Sequence, residues 1–244
     1  LRPAVLGQEA GDFDGTVAGI QSSPEFVEMY SPARAFFEEA NRHPDICVAF
    51  ISGRDLEDLR ERTEDIRAWR CGSHGRDISD PDGLLVVTTE PMTITPDEAW
   101  LEAARDAGLR LENKRHGLAV HWREAAHAGR DHPLVADFAV WASTNGLTIV
   151  DGRMVLEATR PGPAKVDAIS LIAKASGARR VVYAGDDLTD FPALEWAARH
   201  GAAFFVASPE RRDPLPTGVV KVSSIDELVA MLWLELGPIA GTGQ

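Results

Sequence analysis

Asp12 and Asp14 stand one residue apart in Asp12-Phe13-Asp14-Gly15-Thr16, where the apolar run Ala4, Val5, Leu6 gives way to a glycine turn. In an extended chain, residues i and i+2 point to one face. A bend just after the first Asp brings both carboxylates to one place at the C-terminal end of a strand, the end where α/β sheets bind ligands. Two close carboxylates repel unless a cation or a proton lies between them. The pattern therefore reads as a Mg²⁺ site in which one Asp attacks and the other moves protons. At average residue usage it arises in roughly 10⁻⁵ of windows, so chance accounts for it poorly. The bland alternative is an Asx turn closed by Gly15.

A second acidic cluster, Gly185-Asp186-Asp187-Leu188-Thr189-Asp190, follows the apolar run Val181-Val182-Tyr183-Ala184. Three carboxylates at one sheet end call for a cation, although Asp190 also suits a helix first turn electrostatically. With the Asp12 stretch, the cluster predicts a Mg²⁺ site made by Asp12, Asp14 (through its carbonyl), Asp186, Asp187 and Asp190; this ion prefers near-octahedral oxygen ligands and keeps several waters. Ser52, after another apolar run, has a hydroxyl suited to a phosphate oxygen or, equally, to a helix cap. Lys165 opens a helix and supplies one positive charge; a solvated surface lysine is its bland reading.

These groups need elements to position them. Ser31-Pro32 starts a helix to about Arg42, with Pro at its first position. Ile46 to Ile51 is a continuous apolar run, as in a buried parallel strand, and Ser52-Gly53-Arg54 ends it. Cys71-Gly72-Ser73-His74-Gly75 is a small-residue loop near another strand end. After Asp77 the pattern changes. Leu84 to Thr89 is strand-like, and Thr95-Pro96-Asp97-Glu98 reads as a capping box for a helix to about Ala107. A strand pair, a helix near His132 to Ser143 and a hairpin about Asp151-Gly152 follow. That order, αββαββ, predicts an antiparallel sheet with helices on one face, a separate α+β unit. Alternating helix and strand return after Arg160-Pro161-Gly162-Pro163, and Ser224 to Glu227 caps the last helix. The chain thus divides into a core (1–77 and 162–244) and an insert (78–161) that begins and ends near strand ends, where it could cover the Asp12 site.

Composition sets bounds. The 244 residues are 44% hydrophobic and 26% charged, ordinary for a soluble globular protein. No apolar run reaches the ~20 residues of a membrane span, and no signal peptide is visible at Leu1-Arg2-Pro3. Cys47 and Cys71 are the two cysteines, and buried free thiols in a reducing cytosol are expected. A cytoplasmic protein with no membrane partner follows as the expectation. The formal net charge of −13 argues against nucleic acid. It also means that attraction for an anionic substrate must come from a metal and a few local cations.

The Asp12 stretch resembles motif I of the haloacid dehalogenase superfamily. Ser52, Lys165 and Asp186 to Asp190 match its other three motifs in order. Within it, Cys71 to Gly75, Glu112-Asn113-Lys114 with Ala119-Val120-His121-Trp122-Arg123, and Leu156-Glu157-Ala158-Thr159-Arg160-Pro161 are similar to trehalose-6-phosphate phosphatases over nearly the whole chain. The resemblance implies an α/β fold: a Rossmann-like core with a mostly parallel sheet and an inserted α+β cap. It implies a Mg²⁺-dependent phosphatase acting through an aspartyl-phosphate, with Asp12, Asp14, Thr16, Ser52 and Lys165 catalytic and a small sugar phosphate as partner. It gives substrate contacts to Gly15, Gly53, Arg54, His74, Gly75, Glu112, Lys114, His121, Arg123, Glu157 and Arg160. Gly11, Gly117, Val166 and Phe191 depart from the family pattern, and none removes a catalytic group. Alternatives are a phosphatase for a related disaccharide phosphate, a phosphate-accepting signalling domain, which the insert and Asp14 disfavour, and a silent sugar-phosphate sensor. A monomer is expected.

Overall fold

The structure is a computed structural model and describes residues 3–6 (main chain), 16–17, 28–123, 125, 129–152, 154–207 and 213–240. Asp12, Asp14 and Gly15, with Gly11, lie outside the described residues. The chain folds as two units, Leu1–Thr88 with Pro163–Gln244, and Thr89–Gly162.

In chain order the first unit supplies β1 (Pro3–Leu6), α1 (Ser31–Ala40), β2 (Cys47–Ile51), α2 (Leu56–Arg62), β3 (Trp69–Gly72), β4 (Asp77–Ser79) and β5 (Leu85–Val87). The second unit is α3 (Glu98–Asp106), β6 (Arg110–Lys114), β7 (Gly117–His121), α4 (Pro133–Thr144), β8 (Thr148–Gly152) and β9 (Val155–Thr159). The chain then returns to the first unit with α5 (Lys165–Ser176), β10 (Arg180–Gly185), α6 (Phe191–His200), β11 (Gly201–Val206), β12 (Val219–Val222) and α7 (Ile225–Ala240).

The first unit's sheet has the order β12-β11-β10-β1-β2-β3-β4-β5. The strands from β12 to β3 run parallel. From β1 the chain winds outward through β2 and β3; from β10 it winds the other way through β11 and β12. The order therefore reverses between β1 and β10, and a crevice opens at the carboxyl ends of strands flanking such a reversal. Strand alternation divides the core into two layers. Val48, Phe50, Val182 and Ala184 pack with α1 and α7 through Phe36, Phe37, Leu228 and Leu232. Ala49, Ile51, Val181 and Tyr183 pack with α5 and α6 through Ile169, Ile172, Leu194 and Ala197. Burial on both faces explains why these strands read as unbroken apolar runs. Both cysteines are free thiols, Cys71 buried and Cys47 half-buried, and burial pushes the Cys71 thiol up to about 12.

Residues 78–88, which the sequence pattern assigns to the insert, extend the core sheet instead: β4 and β5 pair antiparallel onto β3. A second local difference is at α3, where the N-cap is Asp97, whose carboxylate accepts from Trp100 N at 2.8 Å, in place of Thr95. Asp97 is extended, and its carboxylate takes the capping role that the sequence pattern gives to Thr95. The helix after Pro163 begins at Lys165, with the Ala164 N–H donating to Asp167 at 2.8 Å.

The second unit is an antiparallel sheet of order β6-β7-β9-β8 carrying α3 and α4. One face is apolar: Leu118, Val120, Leu156 and Ala158 pack on Ala104, Val135, Phe138 and Ala142 of the helices. Among the described residues no helix is long and apolar enough to cross a membrane.

Candidate active site

The loop after β10 is organised by one carboxylate. Asp190 has no solvent exposure. Its Oδ2 accepts from the N–H groups of Asp186 at 3.2 Å and Asp187 at 3.0 Å. Its Oδ1 accepts from Lys165 Nζ at 3.0 Å and the Tyr183 hydroxyl at 3.2 Å. Burial first, and then the Asp190 charge, raise the Tyr183 pKa well above its ordinary value, so the phenol remains a donor. Gly185 is required here by space: a Cβ on it would fall 2.5 Å from the Asp190 carboxyl carbon. The sequence pattern places Asp190 among the metal residues; in the structure its two oxygens instead accept from four protein donors. It holds the Asp186-Asp187 main chain and the lysine.

Lys165, 2% exposed, donates also to Thr189 Oγ1 at 2.9 Å. Two of its three protons are thus directed by the loop after β10. Its solvated-surface reading is corrected by this burial. Asp187 accepts from Leu188 N and so caps the short turn Leu188–Asp190. Asp186 accepts from Thr16 Oγ1 at 2.8 Å across 170 residues, and Thr16 is fully buried. That bond joins the residue directly after Asp12-Phe13-Asp14-Gly15 to the loop after β10, at the strand reversal.

On the other side of β1, Ser52 is fully buried at the end of β2. Its Oγ accepts from Arg54 N at 3.1 Å, which uses a lone pair and leaves the hydroxyl proton to donate. It does not cap α2, whose N-cap is Asp55. Gly53 lies in this turn, and the Arg54 guanidinium pairs with Asp58 at 2.6 Å. The loop after β3 is tied to the same segment: Ser73 N donates to Arg54 O at 2.8 Å, His74 N to Ser52 O at 2.9 Å, and Ser73 Oγ to Asp55 at 2.9 Å. These bonds hold two successive non-glycine residues in the left-handed region, Ser73 at φ 50° and His74 at φ 59°. Such conformations cost about 1–2 kcal/mol each and gather where surrounding structure over-determines them. Gly75, at φ 119°, passes so close to the turn before Lys165 that a Cβ would lie 3.0 Å from Ala164 O.

In the second unit, strand register decides which side chains share a face. Glu112 faces Ala119, Lys114 faces Gly117 and Arg110 faces His121 across β6 and β7, while Ala119 faces Glu157 across β7 and β9. Arg110, Glu112, Lys114, His121 and Glu157 therefore lie together on the face opposite the helices. Lys114 Nζ reaches Glu157 Oε2 at 2.7 Å, and His121 Nε2 meets Glu112 Oε2 at 2.7 Å. The His121 hydrogen bond, opposed by desolvation and helped by Lys114, lowers the Glu112 pKa to about 2. Arg123 and Arg160, just beyond β7 and β9, are exposed. The sequence reading did not single out Tyr183, Thr189 or Arg110. A tyrosine inside an apolar strand signals a buried hydroxyl needing a partner, and Arg110 follows from the same two-residue period that groups Glu112 and Lys114.

Among the described residues no three His, Cys, Asp or Glu side chains form a cation-holding group. Among the described residues the side chain there suited to a cation is the Asp186 carboxylate, fixed by its own N–H on Asp190 and by the Thr16 hydroxyl, and carboxylate oxygen suits a hard cation such as Mg²⁺.

A mostly parallel sheet reversing at β1 and β10, with an αββαββ insert, is the fold of solved phosphatases of the haloacid dehalogenase type. It superposes on the C-terminal domain of Candida albicans trehalose-6-phosphate phosphatase with TM-score 0.71 at 17% identity, covering 97% of this chain and 93% of that one. Residues 10–208 match the family model described as Trehalose-phosphatase, and the chain belongs to that family. An uncharacterised glycosyl hydrolase of Mycobacterium tuberculosis is 35% identical over 228 residues, 87% of this chain and 16% of that protein. The trehalose-phosphate phosphatase of Mycolicibacterium paratuberculosis is 33% identical over 204 residues, 78% of this chain and 51% of that protein. The chain thus spans about half the length of the curated phosphatases it matches, and less of the hydrolase.

Proposed function

We propose that this chain is a sugar-phosphate phosphatase whose substrate is trehalose 6-phosphate. The observation that carries the reading is the buried Lys165, aimed by Thr189 and Asp190 at the strand reversal where Thr16 meets Asp186. A desolvated lysine with two protons directed into the protein has a third to give to an anionic oxygen. The Asp12 carboxylate attacks phosphorus in line; the P–O bond to the sugar breaks and Asp14 protonates the departing oxygen. Asp14 then takes a proton from water, which attacks the aspartyl-phosphate and releases phosphate. Lys165 and the Ser52 hydroxyl hold the phosphoryl oxygens, since positioning and charge stabilisation dominate this chemistry. Asp12, the Asp14 carbonyl and Asp186 would hold Mg²⁺, which supplies neutralising charge at those oxygens.

Chelation by EDTA is expected to stop phosphate release and Mg²⁺ to restore it, with Ca²⁺ inhibiting because its coordination is larger and looser. Full turnover after exhaustive dialysis against EDTA contradicts the metal assignment.

The sugar is assigned to the polar face of the second unit. Its separate test compares substrates. Glu157→Ala and Lys114→Ala should lose most of their kcat/KM on trehalose 6-phosphate, because each hydroxyl partner removed costs about 1–3 kcal/mol. They should lose little on p-nitrophenyl phosphate, which has no sugar. Equal losses on both esters, or none on either, remove these residues from sugar recognition.

A further inference from the structure

Gly117 raises a question that its backbone does not answer. It is not among the positive-φ residues, so its conformation is one that any residue adopts. What it lacks is room. A Cβ there would lie 3.0 Å from Glu157 Oε1, 3.4 Å from Glu157 Cγ and 2.9 Å from the Ala158 carbonyl oxygen.

The surrounding geometry shows what the space is used for. Lys114 is on β6 and Glu157 on β9, with β7 between them. Two strand spacings are roughly 9.5 Å, yet the ion pair closes at 2.7 Å. Both side chains must therefore lie down across β7. Gly117 is the β7 residue directly opposite Lys114, and Ala119 the one directly opposite Glu157. A glycine and an alanine make the lowest floor a strand can offer. The pair that meets over it is largely desolvated, with side chains 16% and 9% exposed. Such a pair is costly to break, because its charges are held where water screens them little.

We propose that Gly117 is a positioning residue: its missing side chain lets Glu157 lie flat against Lys114, and this sets the polar pattern presented to the substrate. The substrate half of this inference rests on the sugar-phosphate reading above; the geometric half does not.

Two measurements separate the halves. The first is a thermal cycle without substrate, comparing Gly117→Ala alone and in a Lys114→Met background. If Gly117 acts through the pair, alanine lowers Tm by about 4 °C or more in the parent. It lowers Tm by less than half as much once the lysine is gone, because Glu157 can then move aside. Equal drops in both backgrounds mean that contact with the Ala158 main chain decides the position, and the proposal falls. If Gly117→Ala alone does not fold but the double variant does, the proposal stands; if neither folds, it falls. The second measurement is turnover by Gly117→Ala. KM for trehalose 6-phosphate should rise about tenfold with kcat within about twofold, and p-nitrophenyl phosphate hydrolysis should be unchanged. A coupled Tm with an unchanged KM retains the positioning and overturns its link to the substrate.

Discussion

Asp190→Ala is expected to destabilise the first unit by about 3–5 kcal/mol and to remove phosphatase turnover with it. The carboxylate is fully buried and accepts from four donors. Its removal strands the Lys165 ammonium, 2% exposed, with Thr189 Oγ1 and no counter-charge from this position. The N–H groups of Asp186 and Asp187 lose their acceptor, each worth about 1–3 kcal/mol when left unsatisfied in the interior. These penalties overlap, since the loop can relax once it is released, so the range for removing one member of a buried pair is the better guide than their sum. Asp190→Asn keeps the shape but turns an N–H₂ group toward donors. One oxygen cannot serve both the main-chain pair and the lysine. That variant should fold with a smaller loss and still turn over poorly, because Lys165 is misdirected. Urea denaturation and phosphate release, measured on the same preparations, check both expectations. A parent-like urea midpoint for Asp190→Ala would show that the carboxylate does not hold the loop.

Asp12→Asn is expected to reduce phosphate release by roughly 10⁴-fold or more while leaving the fold intact. The amide has nearly the shape of the carboxylate but no charge with which to attack phosphorus. Asp12 follows β1, which pairs with β10 on one side and β2 on the other. The carboxyl end of β1 itself lies between those of β10 and β2, the strands that lead to Asp186 and Ser52. Thr16 keeps its bond to Asp186 in the variant, so the local chain should hold. Phosphate release near the parent rate by a folded Asp12→Asn protein, free of contaminating phosphatase, would remove the nucleophile and the proposed mechanism with it.

Much of the fold was legible because its strands and helices announce themselves locally. Ile46 to Ile51 and Val181 to Ala184 read as buried strands from unbroken apolar runs, and the strands found there, Cys47–Ile51 and Arg180–Gly185, are sandwiched between helix layers. The order αββαββ was legible for the same reason, since alternating side chains on β6, β7 and β9 separate an apolar face from a charged one. Leu84 to Thr89 reads as a strand of the insert but joins the core sheet as β5, because a short strand's pattern reports that it is extended, not which sheet edge accepts it; β4 is too short to read at all. Asp190 reads as a metal residue because acidic residues after a strand look alike before their donors are known.

Residue type and local spacing were enough to establish the order of the chemistry-bearing segments, the turns that end the strands before them, and the face on which Glu112 and Lys114 lie. Those follow from periods of two or three to four residues, which need no distant partner. Which groups meet was settled by the packed fold. Thr16 and Asp186 are 170 positions apart, Lys165 and Asp190 are 25 apart, and Lys114 and Glu157 are 43 apart with a strand between them. Hydrogen bonds and ion pairs form over about 3 Å. A local pattern cannot supply that proximity. Packing of the sheet order, and the absent side chain of Gly117, do.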